Sequence, residues 1–217
     1  MTTASVRDAP PEVSARYRVG MAPFTPPAAD AVRTRLLLAG REEFAAVGVA
    51  GSRIERISVA SGSNKAQIFH YFGSKEGLFD AVLAHEIAET TDEVPFDAED
   101  VPGWAGRLHD VSVRRPWLPR LLTWHRLERS GAAGLEAIVS SDAESVAAVE
   151  RAQRAGLLPR TVRPAVLFGL VVHLATFWTA VSPEYDALTE AVTPARRRQV
   201  VVDAVAALLA GSSRSPR

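Results

Sequence analysis

The chain has 217 residues, 47% apolar and 23% charged, values of an ordinary globular protein long enough to bury a core, which excludes wholesale disorder. It has no cysteine, which excludes disulfides, thiolate zinc sites, iron–sulfur ligation and cysteine nucleophiles, and suits a reducing cytoplasm. The 25 basic and 25 acidic side chains cancel overall but not locally: residues 1–75 carry 10 basic and 6 acidic groups, residues 76–112 one basic and 10 acidic. Neutrality is an average over segments of opposite sign, so it does not exclude a polyanionic partner.

Residues 1–29 hold five prolines (Pro10, Pro11, Pro23, Pro26 and Pro27) and no helical period, and read as a flexible arm whose Arg7, Arg16 and Arg18 could touch phosphates. No apolar stretch follows the start, so no secretory signal is expected. From Asp30 the pattern turns helical. Val32, Leu36, Leu37, Gly40 and Phe44 share one face, and Gly48 is expected to stop that helix. Ser52 with Glu55 reads as a capping box opening a short helix through Ile54, Ile57 and Ala60, ended by the turn Ser61-Gly62-Ser63. Asn64 with Gln67 reads as a second capping box, opening a helix to about Tyr71. Gly73-Ser74 then breaks the chain and caps a longer helix, Lys75 to about Glu89, with Leu78, Phe79 and Val82 on its apolar side.

Helices are also expected at Pro102–Val113, Pro116–Ser130, Asp142–Ala155, Pro164–Val181 and Pro194–Ala210, with Thr193-Pro194 as a capping pair for the last. No strand-like alternation intervenes, and the fold class is all-α. Pro164–Val181 is apolar nearly all round, but 18 residues containing His173, Thr176 and Thr179 suit a buried or subunit-interface helix better than a membrane span.

Two short helices joined by a glycine-containing turn, the second presenting polar and basic side chains, are what a DNA-reading helix-turn-helix requires. Ile54, Ile57, Ala60, Ile68, Phe69 and Phe72 are expected to form its inner face. Asn64, Lys65, Gln67, His70 and Tyr71 are then left at the start and outer side of the second helix. The Gln67 amide can pair with an adenine edge, and Lys65 can reach guanine or phosphate. Ser52 is expected at a helix start, where phosphate is favoured, with Arg53 and Lys75 as clamps on the DNA backbone.

From about Arg33 to Val82 the sequence resembles, without a gap, the N-terminal domain of the tetracycline-repressor (TetR) family of bacterial transcriptional regulators. The residues that carry the resemblance are Leu36-Leu37, Phe44, Gly48, Ile57, Ala60, Gly62, Ile68-Phe69-His70-Tyr71-Phe72 and Gly73-Ser74-Lys75-Glu76-Gly77-Leu78. Glu43 departs from the pattern at a usually apolar position, Ser58 stands for the usual Ala and Ser63 for an apolar turn residue. Ala66 replaces a frequent Gly, Asn64 a Ser, and Phe69 a common Tyr, losing a phenol.

The resemblance implies a helix-turn-helix DNA-binding domain over residues 30–75 and a ligand-binding and dimerisation domain over 76–217. It further implies a homodimer made by the last two helices, through Leu167, Leu170, Val171 and Leu174 with Val201, Val205 and Leu208. Such a dimer implies a pseudo-palindromic double-stranded DNA operator, and the resemblance implies repression lifted by a small-molecule effector and a place on the nucleoid in the cytoplasm. Movement of the Ser74–Glu89 helix would carry the switch. All four tryptophans lie within residues 76–217, and Trp124, His125, His173, Phe177 and Trp178 are the candidates for an effector pocket, unless they are core. No cofactor, metal site or catalytic residue is expected: the phosphate-binding glycine loops, the G-x-S-x-G elbow and the H-E-x-x-H pair are all absent. His125 with Glu128 reads as a surface helical pair. The other readings are a regulator-like interaction protein without DNA binding and a small helical enzyme.

Overall fold

A computed structural model describes residues 27–129, 136–180, 183–189 and 191–211. Among these the secondary structure is helical: α1 (Pro27–Gly51), α2 (Ile54–Ser61), α3 (Lys65–Phe72), α4 (Lys75–Glu93), α5 (Val101–Arg114), α6 (Trp117–Glu128), α7 (Glu136–Arg154), α8 (Pro164–Ala180), α9 (Pro183–Leu188) and α10 (Pro194–Gly211). Residues 1–26 of the expected arm lie outside the described residues, as do Ser130 and Val181; α1 begins at Pro27, inside the range given to the arm.

The expected helices form, with shifted ends. Gly48 breaks the helix as expected, at φ 72° and ψ −176°, a backbone conformation open to glycine almost alone, and a short helical stretch follows it to Gly51. α4 runs to Glu93 because nothing in Thr90–Asp92 interrupts it, and α7 begins at Glu136 rather than Asp142. The short α9 is an addition to the expected set. Asp100 caps α5 by accepting the Gly103 N–H at 2.9 Å, and Thr193 caps α10 through Arg196 N–H at 3.3 Å.

Apolar side chains gather in two clusters. The first joins α1 (Leu36, Leu37, Phe44) to α2, α3 and α4 through Ile57, Ile68, Leu78 and Phe79. It does not stop at residue 75, because α6 adds Leu118 and Leu121. The second is built by α5, α7, α8 and α10 around Trp104, Val149, Leu167, Val171, Val201 and Val205. The expected dimer face is corrected in part: Leu167, Val171, Val201 and Val205 are at most 3% exposed within one chain, while Leu170 of that face is exposed, with Val166 and Phe177, at 40–47%. A nearly all-apolar helix leaves its inward stripe undecided until its neighbours are placed. Among the described residues no helix is long and apolar enough to cross a membrane.

Candidate nucleic-acid interface

The α2–turn–α3 unit is fixed by polar contacts at each helix end. Arg53 is the N-cap of α2 in extended backbone, and its N–H donates to the Glu43 carboxylate of α1 at 3.0 Å. The expected Ser52 cap is therefore corrected. Ser52 is 5% exposed and its hydroxyl donates back to Val49 O at 2.7 Å, which turns it away from any phosphate. Glu43, acidic where the family pattern is apolar, also pairs with Arg56 at 3.4 Å. It accepts the N–H of the N-cap residue itself, just before the first turn of α2.

Gly62 ends α2 in the left-handed region at φ 63°, and Arg35 of α1 donates to Ser61 O at 3.2 Å across the turn. The Ser58 hydroxyl donates to Ser63 O at 2.6 Å, whereas the buried Ser63 hydroxyl has no hydrogen-bond partner among the described residues. At α3 the capping box forms as expected. Gln67 N–H donates to Asn64 Oδ1 at 2.8 Å, and Asn64 N–H donates to Gln67 Oε1 at 3.1 Å. With its oxygen engaged, Gln67 has its NH2 group left to offer a base acceptor.

Ile54, Ile57 and Ile68 point inward as expected, joined by Ser61. Ala60 and Phe69 do not: both are exposed, Phe69 by 48%. Tyr71, expected outside, is half-buried against the first cluster. At about 100° per residue Phe69 and Tyr71 lie equally far, on opposite sides, from the Ile68–Phe72 direction, so the packing of the neighbouring helices and not the helical step decides which of them is covered. The outer surface of α3 thus consists of Lys65, Ala66, Phe69 and His70, flanked by Asn64, with Gln67 half-buried at its side.

Its cations are held by the protein itself. Lys65 Nζ hydrogen-bonds Glu55 of α2, and this contact holds the Glu55 carboxyl below its usual value. Lys75 Nζ donates to Ser52 O at 3.2 Å, strapping α4 to the start of α2. Arg53 and Arg56 are exposed beside them. Sequence reading missed Arg56, gave Glu55 to a box with Ser52 rather than to Lys65, and saw Glu43 only as a departure from the family pattern. The alternation of Glu43, Glu55, Arg53 and Arg56 was visible, but their pairing crosses between helices.

In the second half, a cleft of about 600 Å³ opens between α5, the end of α8 and the start of α10. His109 lines it, its buried Nδ1–H donating to Ala175 O at 3.3 Å; burial pushes its pKa below the usual histidine value. Arg198 pairs with Asp110 at 2.9 Å, and the Arg197 guanidinium lies 4.8 Å above the Trp178 ring. Of the five effector candidates, Trp178 lines this cleft. Trp124 packs against the first cluster, and His125 stacks on Phe79 at 6.4 Å. His173 and Phe177 lie on the exposed side of α8, with His173 Nδ1–H donating to Gly169 O at 2.7 Å. Phe177 and Trp178 meet edge-on at 5.1 Å, but the candidates of α6 and those of α8 do not converge on one pocket, because α6 faces α1 while α8 faces α5 and α7.

Residues 36–82 match the tetR family of bacterial regulatory proteins, and residues 100–206 match a tetracyclin repressor-like C-terminal domain. The transcriptional repressor SCO4008 of Streptomyces coelicolor is 33% identical over 186 residues, covering 79% of this chain and 96% of that protein. The repressor NicS of Pseudomonas putida is 47% identical over 57 residues, 26% of this chain and 27% of its own. A crystal structure of the Streptomyces coelicolor transcriptional regulator SCO4942 superposes with a TM-score of 0.72 at 35% identity, covering 82% of this chain and 97% of that one. The chain belongs to the tetR family of bacterial regulatory proteins and is a DNA-binding transcriptional repressor of the helix-turn-helix type.

Proposed function

We propose that two copies of this repressor present their α3 helices to a pseudo-palindromic operator, and that a small molecule entering the α5–α8–α10 cleft releases it. The observation that carries the reading is the outer surface of α3, where Asn64, Lys65 and His70 stand exposed on a helix whose other side is locked by Ile68. Lys65 and Gln67 read base edges in the major groove, while Arg53, Arg56 and Lys75 engage phosphates. Phosphate competes with Glu55 for Lys65, so binding weakens steeply with salt. Residues 30–75 carry the reading surface and 76–217 the effector and dimer functions.

Pairing uses the outward stripe of α8, Val166, Leu170, His173 and Phe177, with Val200 of α10; these residues are exposed in the single chain. The two α3 helices would then stand about one DNA turn, or a small multiple, apart. Selection of bound oligonucleotides from a random pool tests the reading, with two half-sites of fixed spacing expected. Lys65→Ala and Gln67→Ala should each lose about 1–3 kcal/mol of discrimination at one half-site position. Leu170→Arg should give a monomer in sedimentation and lose binding to the paired site. A pool with no enriched sequence, or full operator binding by the monomeric variant, overturns it.

A further inference from the structure

One stripe of α6 holds the interruption in α1 from both sides. Arg120, Trp124 and Glu128 are four residues apart, so they lie along one side of the helix. Before the break, the Arg120 guanidinium donates to Ala45 O at 2.8 Å and reaches Ala46 O at 3.5 Å. At the break, the Gly48 backbone lies so close to Trp124 that a Cβ there would stand 2.8 Å from the ring and 2.5 Å from Glu128 Oε1. After the break, Glu128 Oε2 accepts the N–H groups of Val49 at 2.7 Å and Ala50 at 3.1 Å. An interrupted helix leaves carbonyls open on one side and amides on the other. Here a cation and an anion from a single neighbouring helix satisfy both.

The residues after the break lead directly to the DNA-reading unit. Val49 O receives both the Ser52 hydroxyl at 2.7 Å and the Ser52 N–H at 3.3 Å, Ser52 O receives Lys75, and Arg53 stands at the N-cap position of α2. The position of Val49 therefore fixes where α2 begins, and Glu128 fixes Val49. We infer that Arg120 and Glu128 are positioning residues for DNA binding. Through them α6, a helix of the C-terminal half, sets the direction in which the chain leaves α1 for the helix-turn-helix. Neither residue touches the α3 reading surface; each acts through backbone groups of residues 45–50.

The inference is tested on the full chain with its selected operator, using fluorescence anisotropy for affinity, amide hydrogen exchange for residues 49–53 and thermal unfolding for integrity. Glu128→Ala should speed exchange at Val49 and Ala50 and weaken operator binding about tenfold at temperatures where the variant is fully folded. Glu128→Gln keeps an oxygen acceptor and should stay within about threefold of the unsubstituted chain. Arg120→Met, which keeps the aliphatic stem and removes the donors, should weaken binding from the other end of the bracket without changing exchange at α8. The inference is overturned if Glu128→Ala binds within about threefold of the unsubstituted chain, if Gln and Ala variants lose equally, or if exchange at Val49 and Ala50 is unchanged. Should Glu128→Ala fail to fold, Arg120→Met decides: full operator affinity in that variant overturns the inference.

Discussion

In the α2–turn–α3 unit each helix end is held by a side chain a few residues away or on the adjacent helix: Glu43 on Arg53, Ser58 on the turn, Asn64 and Gln67 on each other. Around the cleft the elements are long helices, and most of what joins them is apolar surface brought from far along the chain, Trp104 and Val111 of α5 against Leu167 and Val171 of α8. A reading surface must hold its polar groups in fixed directions on a small platform, which short capped helices do. A cleft that admits a ligand needs walls that can shift against one another, and apolar contacts between helices carry little directional constraint. Gly48 and α6 lie where the two styles of construction meet.

The largest expected effect probes the apolar floor beneath the polar platform. Phe44 is fully buried and meets Phe79 edge-on at 5.3 Å, so Phe44→Ala should cost about 3–5 kcal/mol in chemical denaturation and abolish operator binding. A loss below about 1 kcal/mol would mean that the polar contacts alone hold the reading unit. Next is the junction. Gly48→Ala meets both a forbidden backbone conformation and the Trp124 ring, and should cost about 1–3 kcal/mol, read as a lowered midpoint. An unchanged midpoint would show that α1 can straighten without loss.

The platform also contains one misfit, the buried Ser63 hydroxyl without a hydrogen-bond partner among the described residues. Ser63→Ala removes it and should raise stability by about 1 kcal/mol, and a drop in the melting temperature would show that the hydroxyl is in use. The smallest effect belongs to the cleft. Because burial lowers the His109 pKa, the unfolded chain takes up the proton more readily than the folded one. His109 therefore contributes its full stability above the ordinary histidine pKa of 6.5, and that contribution is lost as pH falls through the lower folded value. The melting temperature should fall between about pH 7.5 and pH 5.5, more in the unsubstituted chain than in His109→Gln. Equal slopes in the two proteins would remove His109 as the cause.

Much of the reading unit was legible because its determinants are local. The Asn64–Gln67 box, the Gly62 turn and the Ser74 cap each lie within a few residues, and local spacing encodes them. The errors there have one origin. Ser52 looked like a cap, but the N-cap of α2 is Arg53, whose N–H is held by Glu43 on another helix, and Phe69 and Tyr71 exchanged their expected places because the first cluster covers the Tyr71 side of α3. For the effector site, a cluster of aromatics in the sequence stood in for a cluster in space, and Trp124 and His125 turned toward α1 and Phe79 instead.

By itself, then, the sequence determined the helical class, the helix-turn-helix with its capped recognition helix, and the absence of thiol chemistry, since each rests on residue type and short-range spacing. The tertiary structure decided which stripe of α8 is buried, which carboxylate holds the start of α2, where the cleft opens and that α6 brackets the kink in α1. Those outcomes depend on which helices meet, and an apolar helix or a lone carboxylate presents the same local pattern whichever neighbour it finds.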